Sequence, residues 1–302
     1  MSVICTLHHH VGAEGPFERG LNIASARDAF EAQIDRLERD YDVIDLDTLL
    51  AGRLPRRPLL MTFDDAFRSV LDVARCVLAP RGLPAVFFVN PGLVGDSGGE
   101  EELSLDSTLA WAANTAGLER VCAALGIRPH RSLGTLIGEE MATRGAEARK
   151  KVKAQVLAAF GPPDLSGRAP LLRKEDLPAL RALGVEIGNH TMTHVHCRAL
   201  SESETEAEVL DAKHRLEALA GGEVRAFSVP YGHERDLTPE LLGVLRASGH
   251  RAIFLVHARS NGHRPAPDVW YRTSLHDERP KDLPKKLRYM PLLRTLRHQV
   301  RR

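Results

Sequence analysis

The chain has 302 residues, and 41 Lys and Arg against 40 Asp and Glu give it a formal net charge of +1. This balance gives no global attraction to nucleic acid or to a membrane, and no apolar run reaches transmembrane length. The four cysteines lack a paired metal-type spacing, and a disulfide framework is not expected at this length. The N-terminus shows no signal-peptide pattern, so a cytoplasmic location is expected.

Predicted strands and helices alternate in the first part of the chain. Amphipathic helices are predicted over residues 26–40 and 67–78. Strands are predicted over 3–7, 41–46, 59–63 and 85–89. The first of them is followed directly by three consecutive His. Alternation of this kind is typical of a parallel α/β architecture.

The segment of about 96–170 interrupts this alternation. Helical patterns cover 109–125 and 139–160, and no convincing strand pattern occurs between them. We interpret the segment as a mostly helical insertion within a single domain of residues 1–280. The charged run 144–153 is interpreted as a solvated helix face.

The alternation resumes after the insertion. Helices are predicted over 174–183, 202–219 and 239–248, and strands over 185–189, 224–229, 250–256 and 269–275. A basic tail, 281–302, carries interleaved Leu and Tyr. It is predicted to be a surface helix, with contact to an anionic membrane or polymer as the alternative.

Two adjacent carboxylates, Asp64 and Asp65, follow the buried strand 59–63. Neighbouring side chains at a strand end point in different directions, so one carboxylate could hold a metal while the other moves a proton. The alternative is that the pair caps the next helix, where Asp is favoured.

Two imidazoles, His190 and His194, follow the strand 185–189. Side chains four residues apart can reach one ion, although surface or packing His is the alternative for such a pair alone. Parallel barrels gather functional groups at the carboxyl ends of their strands, where the Asp pair also lies. One carboxylate and two imidazoles would leave coordination positions open for water and substrate.

A third motif, Pro230-Tyr231-Gly232, follows the strand 224–229. It can be an ordinary turn, or a turn that directs a backbone N–H at a developing oxyanion.

Together the three motifs resemble those of the polysaccharide deacetylase family, whose shared unit is the NodB homology domain. They are Thr62-Phe63-Asp64-Asp65, His190 to His194, and Pro230-Tyr231-Gly232, in the family order. The likeness runs from His9-His10-Val11 to about Leu275. It implies an α/β fold, a distorted (β/α) barrel, and metal-dependent removal of the N-acetyl group from an N-acetylated amino sugar. The sugar would belong to a glycan, an oligosaccharide or a carrier-linked precursor.

The resemblance also implies a role for each matching residue. Asp65, His190 and His194 would bind a divalent ion, expected to be zinc, and Asp64 would be the general base. The backbone N–H of Tyr231 would stabilise the oxyanion. The remaining matching positions, expected to contact the substrate, are His9, Pro230 and Gly232.

The sequence departs from the family pattern at several positions. Many relatives have an Arg that orients the catalytic Asp where this chain has Ser228, and Arg272 is the candidate replacement, a plain surface Arg being the alternative. The Leu-x-His motif that supplies a general acid is not clearly present, so His257 and His276 remain two equal candidates. Ala66 replaces the Gly that commonly follows the Asp pair.

Two other functions remain open: a non-catalytic carbohydrate-binding relative, and a hydrolase of a non-sugar amide on the same fold. Aromatic residues make up 5% of the chain, which favours a short or carrier-linked substrate over a long polymer groove. No nucleic acid partner is expected. The basic tail would place a cytoplasmic protein at the inner face of the membrane if it contacts lipid.

Overall fold

The computed structural model describes residues 2–96, 103–165, 170–257, 259–262, 264–276 and 278–289. The strands of these residues are β1 (Ile4–His8), β2 (His10–Val11), β3 (Ala24–Ser25), β4 (Asp42–Val43), β5 (Pro58–Phe63), β6 (Ala85–Val89), β7 (Val185–Asn189), β8 (Ala226–Ser228), β9 (Ala252–Val256) and β10 (Val269–Ser274). Their α-helices are α1 (Arg27–Asp40), α2 (Leu46–Ala51), α3 (Ser69–Val73), α4 (Leu105–Ala116), α5 (Leu118–Ala124), α6 (Leu133–Leu136), α7 (Ala146–Phe160), α8 (Asp176–Ala182), α9 (Glu202–Thr205), α10 (Ala212–Ala220) and α11 (Pro239–Ala247).

Seven parallel strands close into a barrel in the order β1, β10, β9, β8, β7, β6, β5. The first strand closes it, because Thr6 pairs with Thr273 of β10 and also with Met61 of β5. Outside the closed barrel, β4 adds to β5, and β2 pairs with β3. The predicted (β/α) barrel is therefore confirmed.

Large apolar side chains fill the barrel interior. Leu60, Phe88 and Phe254 belong to one buried cluster contributed by alternate residues of their strands. Strands with both faces covered become continuous apolar runs, and every residue of β5 and β6 is buried. Gly188 of β7 provides space for Phe88, since a Cβ at this position would lie 2.4 Å from its ring.

The predicted strand 41–46 is shorter in the structure. Only Asp42 and Val43 pair with β5, because Asp45 already caps α2 by accepting a hydrogen bond from the backbone N–H of Thr48.

The insertion between β6 and β7 forms α4 to α7 in its described part. Leu109, Val121 and Val156 of these helices belong to the same buried cluster as Phe63 and Leu71 of the barrel. The insertion therefore packs against the barrel through a shared core.

The charged run 144–153 is not only a solvated helix face. That prediction is wrong at Arg149, which is 3% exposed.

Packing continues past the predicted domain boundary at residue 280. Leu283 and Leu287 join the main buried cluster. Residues 290–302 of the predicted basic tail lie outside the described residues. No described helix combines the length and the apolarity that a membrane crossing requires.

Candidate metal and catalytic site

A pocket of about 440 Å³ opens at the carboxyl ends of the barrel strands. Asp64 and Asp65 line it after β5, and His190 and His194 line it after β7. The insertion forms part of its wall through Asp106, Ser107, Ile137 and Gly138. The predicted carboxylate and His pairs are thus brought together from distant parts of the chain.

Asp65, His190 and His194 form a three-residue cluster whose ligand atoms lie within 4.8 Å of one another. The Nε2 atom of His190 lies 3.6 Å from Oδ1 of Asp65, and Nε2 of His194 lies 3.4 Å from the same oxygen. That oxygen is buried and has no hydrogen-bond partner among the described residues. A divalent cation would supply the missing partner.

The second nitrogen of each imidazole contacts an acceptor. Nδ1 of His190 lies 2.7 Å from the backbone carbonyl of Ser228, and Nδ1 of His194 lies 3.3 Å from the carboxylate of Asp106. A proton on Nδ1 would leave the Nε2 lone pair facing Asp65 in both rings. The cluster therefore fits a metal site with one carboxylate and two imidazole ligands.

Burial and opposing charges set the protonation of the cluster when no ion is bound. Burial raises the pKa of Asp65 to about 6, with the neighbouring charges of Asp64 and Asp106 adding to this effect. Burial lowers the pKa of His190 to about 3. Burial also opposes protonation of His194, but the carboxylates of Asp65 and Asp106 outweigh it and raise its pKa.

Asp64 is held by Arg272, the residue predicted to replace the missing family Arg. Nη1 of Arg272 donates to Oδ1 of Asp64 at 2.6 Å, and Nη2 donates to Oδ2 at 2.7 Å. The Ser228 hydroxyl bridges the same pair, accepting from Arg272 at 2.6 Å and donating to Asp64 at 3.2 Å. Arg272 is fully buried, which excludes the surface alternative.

The guanidinium decides the charge of Asp64. Burial alone would raise the pKa of this carboxyl, but the charge of Arg272, followed by that of His190, holds the pKa well below its usual range. Asp64 is therefore ionised at neutral pH, with Oδ2 lying 3.6 Å from Nε2 of His190. It does not cap a helix, because α3 begins at Ser69 with Arg68 at its N-cap position.

Tyr231 occupies a left-handed turn with φ of 59°. The following Gly232 has no space for a side chain, because a Cβ would lie 2.2 Å from the backbone nitrogen of Val256. Pro230 and Gly232 are buried and lie outside the set of pocket-lining residues. The structure shows that they shape the turn, and their predicted contact with substrate stays a prediction.

Backbone strain is concentrated around the pocket. Among the described residues, the non-glycine positions with positive φ are Asn22, Asp65, Thr191, His194 and Tyr231. Two are candidate ligands, and Thr191 accepts a hydrogen bond from the backbone of His194. Such conformations cost about 1–3 kcal/mol each and persist where the surrounding structure enforces them, often at functional sites.

His9 and His276 lie together on the pocket wall, with ring centroids 4.9 Å apart. Burial, followed by the nearby charge of His276, lowers the pKa of His9 well below its ordinary value. His257 instead packs edge-on against Tyr271 and does not line this pocket. Of the two candidate acids, only His276 lines the pocket that holds the candidate ligand cluster.

Asp106 and Arg149 are part of the site but were not among the predicted residues. Asp106 contacts His194, accepts a hydrogen bond from the Tyr231 hydroxyl at 2.6 Å, and pairs with Arg149 at 3.0 Å. Both lie in the insertion, where the sequence shows no motif around them. The only available signal was the position of Arg149 on the apolar side of α7, beside Val152 and Val156.

A family model described as polysaccharide deacetylase matches residues 51–253. The chain belongs to the polysaccharide deacetylase family. The match includes the Asp, His and Pro-Tyr-Gly motifs, while His9, Arg272 and His276 lie outside it. Membership in this family indicates deacetylation of a carbohydrate.

Solved structures of similar fold come from several bacteria. The deacetylase PplD of Streptococcus pyogenes, solved with acetate, has a TM-score of 0.62 at 15% identity, covering 95% of this chain and 98% of that one. IcaB of Ammonifex degensii has a TM-score of 0.58 at 20% identity, covering 96% and 97%. A polysaccharide deacetylase of Bacillus cereus has a TM-score of 0.61 at 12% identity, covering 95% and 69%. No curated protein has significant sequence similarity to the chain.

Proposed function

We propose that this protein is a metal-dependent hydrolase that removes the N-acetyl group from an N-acetylated amino sugar. One observation carries the proposal: the Asp65, His190 and His194 cluster lies beside an ionised Asp64 in a pocket of about 440 Å³. Amide hydrolysis needs a Lewis acid that activates water and a separate base that accepts its proton. The ligand cluster would hold the first, and the carboxylate outside the cluster would be the second.

Each residue of the site has a distinct task in this proposal. Asp65, His190 and His194 would hold a divalent ion, which supplies Lewis acidity and lowers the pKa of a water molecule. Asp64 accepts the proton of the attacking water, because Arg272 keeps it ionised and correctly oriented. The backbone N–H of Tyr231 donates to the developing oxyanion.

The leaving amine needs a proton, and an imidazole on the pocket wall can supply it. We assign this task to His276 and substrate contact to its neighbour His9. The low pKa of His9 supports this division, because a neutral imidazole cannot act as the initial proton donor.

Acetate release tests the proposal directly. The purified protein would be stripped of metal, reloaded separately with Zn²⁺, Co²⁺, Mn²⁺ or Ni²⁺, and incubated with N-acetylhexosamines, their oligomers and carrier-linked forms. Acetate should be released by the parent protein and lost in Asp64→Asn. The exposed Asp211→Asn is the matched control and should retain full activity.

The other two candidate functions give different results in the same experiment. A binding relative would retain sugar without releasing acetate from any member of the panel. A hydrolase of non-sugar amides would release acid from simple N-acetylated amines and spare the sugars. Either result would reject the proposed function.

The proposal has three further parts. The ion is zinc, the substrate is short or carrier-linked, and the location is cytoplasmic, with peripheral contact at the inner membrane face. The low aromatic content supports the substrate class. Metal analysis of protein purified from its native host, and fractionation of those cells, would test the ion and the location.

A further inference from the structure

The two insertion residues in the site form a buried network with a candidate metal ligand. Oδ2 of Asp106 lies 3.3 Å from Nδ1 of His194 and accepts the hydrogen bond of the Tyr231 hydroxyl. Oδ1 of the same carboxylate accepts a hydrogen bond from Arg149 at 3.0 Å. Arg149 also donates to the Tyr231 hydroxyl at 3.0 Å and to the backbone carbonyl of His194 at 3.3 Å.

We propose that Asp106 and Arg149 form a positioning unit through which the insertion fixes the His194 imidazole for metal binding. The proposal rests on the metal site of the proposed function. It makes the insertion a part of the metal centre as well as a wall of the pocket.

The contacts of Asp106 explain how the unit would act. A metal-binding imidazole holds its ring orientation when its other nitrogen donates to a fixed acceptor, and a carboxylate is a strong acceptor. Asp106 is itself fixed by Arg149 and Tyr231, so it has little freedom to turn away. His194 has a positive φ, and the hydrogen bond from Arg149 to its carbonyl restrains that strained backbone.

A purely helical role does not account for these contacts. Asp106 lies in the first turn of α4, where a negative charge favours the helix dipole. That effect needs no contact with His194 or Tyr231, and Ser104 already caps the helix by accepting from the backbone N–H of Ser107. Asp106 is 6% exposed, so its charge is directed into the protein and not toward water.

Charge balance gives a second argument. Two buried Asp–Arg pairs flank the ligand cluster: Asp64 with Arg272 in the barrel, and Asp106 with Arg149 in the insertion. Each Arg is paired with one of these carboxylates, so among Asp64, Asp65 and Asp106 the candidate ligand Asp65 is the one without an Arg partner. Asp106 can therefore orient His194 without adding a net charge that would draw the ion away from the cluster.

Metal affinity measured without substrate tests the positioning unit. Asp106→Asn keeps the shape of the side chain but removes its charge, and it should weaken binding of Zn²⁺ by about 10- to 100-fold in competition with a chromogenic chelator. The visible spectrum of the Co²⁺-loaded variant should also change, because a displaced imidazole alters the coordination geometry. Thr115→Ala, at an exposed position of the same helix and away from the pocket, should match the parent protein in both measurements.

A second variant distinguishes loss of metal affinity from loss of folding. Asp106→Leu combined with Arg149→Met removes both charges, so no unpaired charge is left in the interior. Melting of the metal-free protein should stay close to that of the parent, while Zn²⁺ affinity falls as in Asp106→Asn. Parent-like affinity and Co²⁺ spectrum in a folded variant would overturn the proposal. Absence of acetate release by the parent protein would reject the proposed function but would leave this result intact.

Discussion

Arg272 and Asp64 face each other inside the barrel as a doubly hydrogen-bonded pair, with N–O distances of 2.6 and 2.7 Å. Arg272 comes from β10 and Asp64 follows β5, so the last barrel strand determines the charge and direction of a side chain that lies 208 positions earlier. Both side chains are almost completely buried. Removing one of the two charges leaves the other unpaired in the interior, which lowers the free energy of unfolding.

Loss of the Arg272 charge should destabilise the fold. In Arg272→Met the carboxylate of Asp64 stays buried without a counter-charge, and we expect the free energy of unfolding to fall by about 3–5 kcal/mol. Adding Asp64→Asn should recover most of this loss, because the unpaired charge is then gone. Urea unfolding of the two variants measures both effects. A loss below about 1 kcal/mol in the single variant would contradict the pairing.

The position of the guanidinium should be exchangeable between two strands. Ser228 occupies the place where many relatives carry an Arg, and its hydroxyl touches both Arg272 and Asp64. We expect Arg272→Ser to lose acetate release and the double variant with Ser228→Arg to regain part of it. Ser228→Arg alone should destabilise the fold, because two guanidinium groups would then compete for one carboxylate. Steady-state kinetics and thermal melting of the three variants test this, and no recovery in the double variant would show that β10 is required.

The two pocket histidines should differ in their kinetic effects. His276→Ala should lower kcat by about 100- to 10,000-fold, the usual contribution of a general acid. His9→Ala should act mainly on KM, as expected for a residue that contacts substrate. His10 bonds to Ser69 and is not a pocket-lining residue, so His10→Ala serves as the control. The reverse pattern would assign the proton transfer to His9.

His8 should make the protein sensitive to acid. Burial, followed by the charge of His276, lowers the pKa of His8 to about 3 from an ordinary value of 6.5. Between these two values the unfolded chain binds more protons, so stability is lost as the pH falls below 6.5. Between the two pKa values, one such group lowers the free energy of unfolding by about 1.4 kcal/mol for each pH unit of acidification.

The matching variant is His8→Phe, since His8 packs between Phe30 and Phe63. Both proteins are unfolded in the presence of a chelator at about pH 8 and about pH 5. The free energy of unfolding should fall with pH in both, but the fall should be about 2 kcal/mol smaller in His8→Phe than in the parent. Urea unfolding at the two pH values gives this difference. An equal fall in both proteins would show that His8 does not titrate in this way.

The Tyr231 turn should not tolerate a side chain at Gly232. Its φ of 67° disfavours other residues, and a Cβ would meet the backbone of Val256 at 2.2 Å. Gly232→Ala should therefore shift the turn, lower stability by at least about 1 kcal/mol and reduce kcat more than it raises KM. Gly243→Ala, at an open position in α11, should leave kinetics unchanged and is the control. Parent-like activity in Gly232→Ala would reject the oxyanion role of this turn.

The parallel α/β architecture and the family resemblance, which implied the barrel, were predictable because their signals are local. Strands buried on both faces appear as apolar runs, and the motifs at the ends of β5, β7 and β8 can be read directly from the sequence. The candidacy of Arg272 followed from the absence of Arg at position 228. In each case a short stretch of sequence carried enough information.

The insertion contacts were not predictable for the opposite reason. Asp106 lies in an ordinary first helical turn, and Arg149 stands within a run of charges that resembles a solvated surface. Their role depends on how α4 and α7 pack against each other and against the strand ends, which no local pattern encodes. The predicted strand 41–46 is longer than the observed β4, because Asp45 caps α2 and the helix begins at Leu46.

The pairing of β1 with both β5 and β10 also constrains the order of events during synthesis. A ribosome releases β1 and β5 long before β10, so the early half of the barrel emerges with Asp64 still lacking its guanidinium. Closure joins segments far apart in the chain, which makes it slow relative to helix formation. Asp64 therefore stays without its counter-charge until the final strand joins the sheet, and the buried Asp64–Arg272 pair can form only from that point.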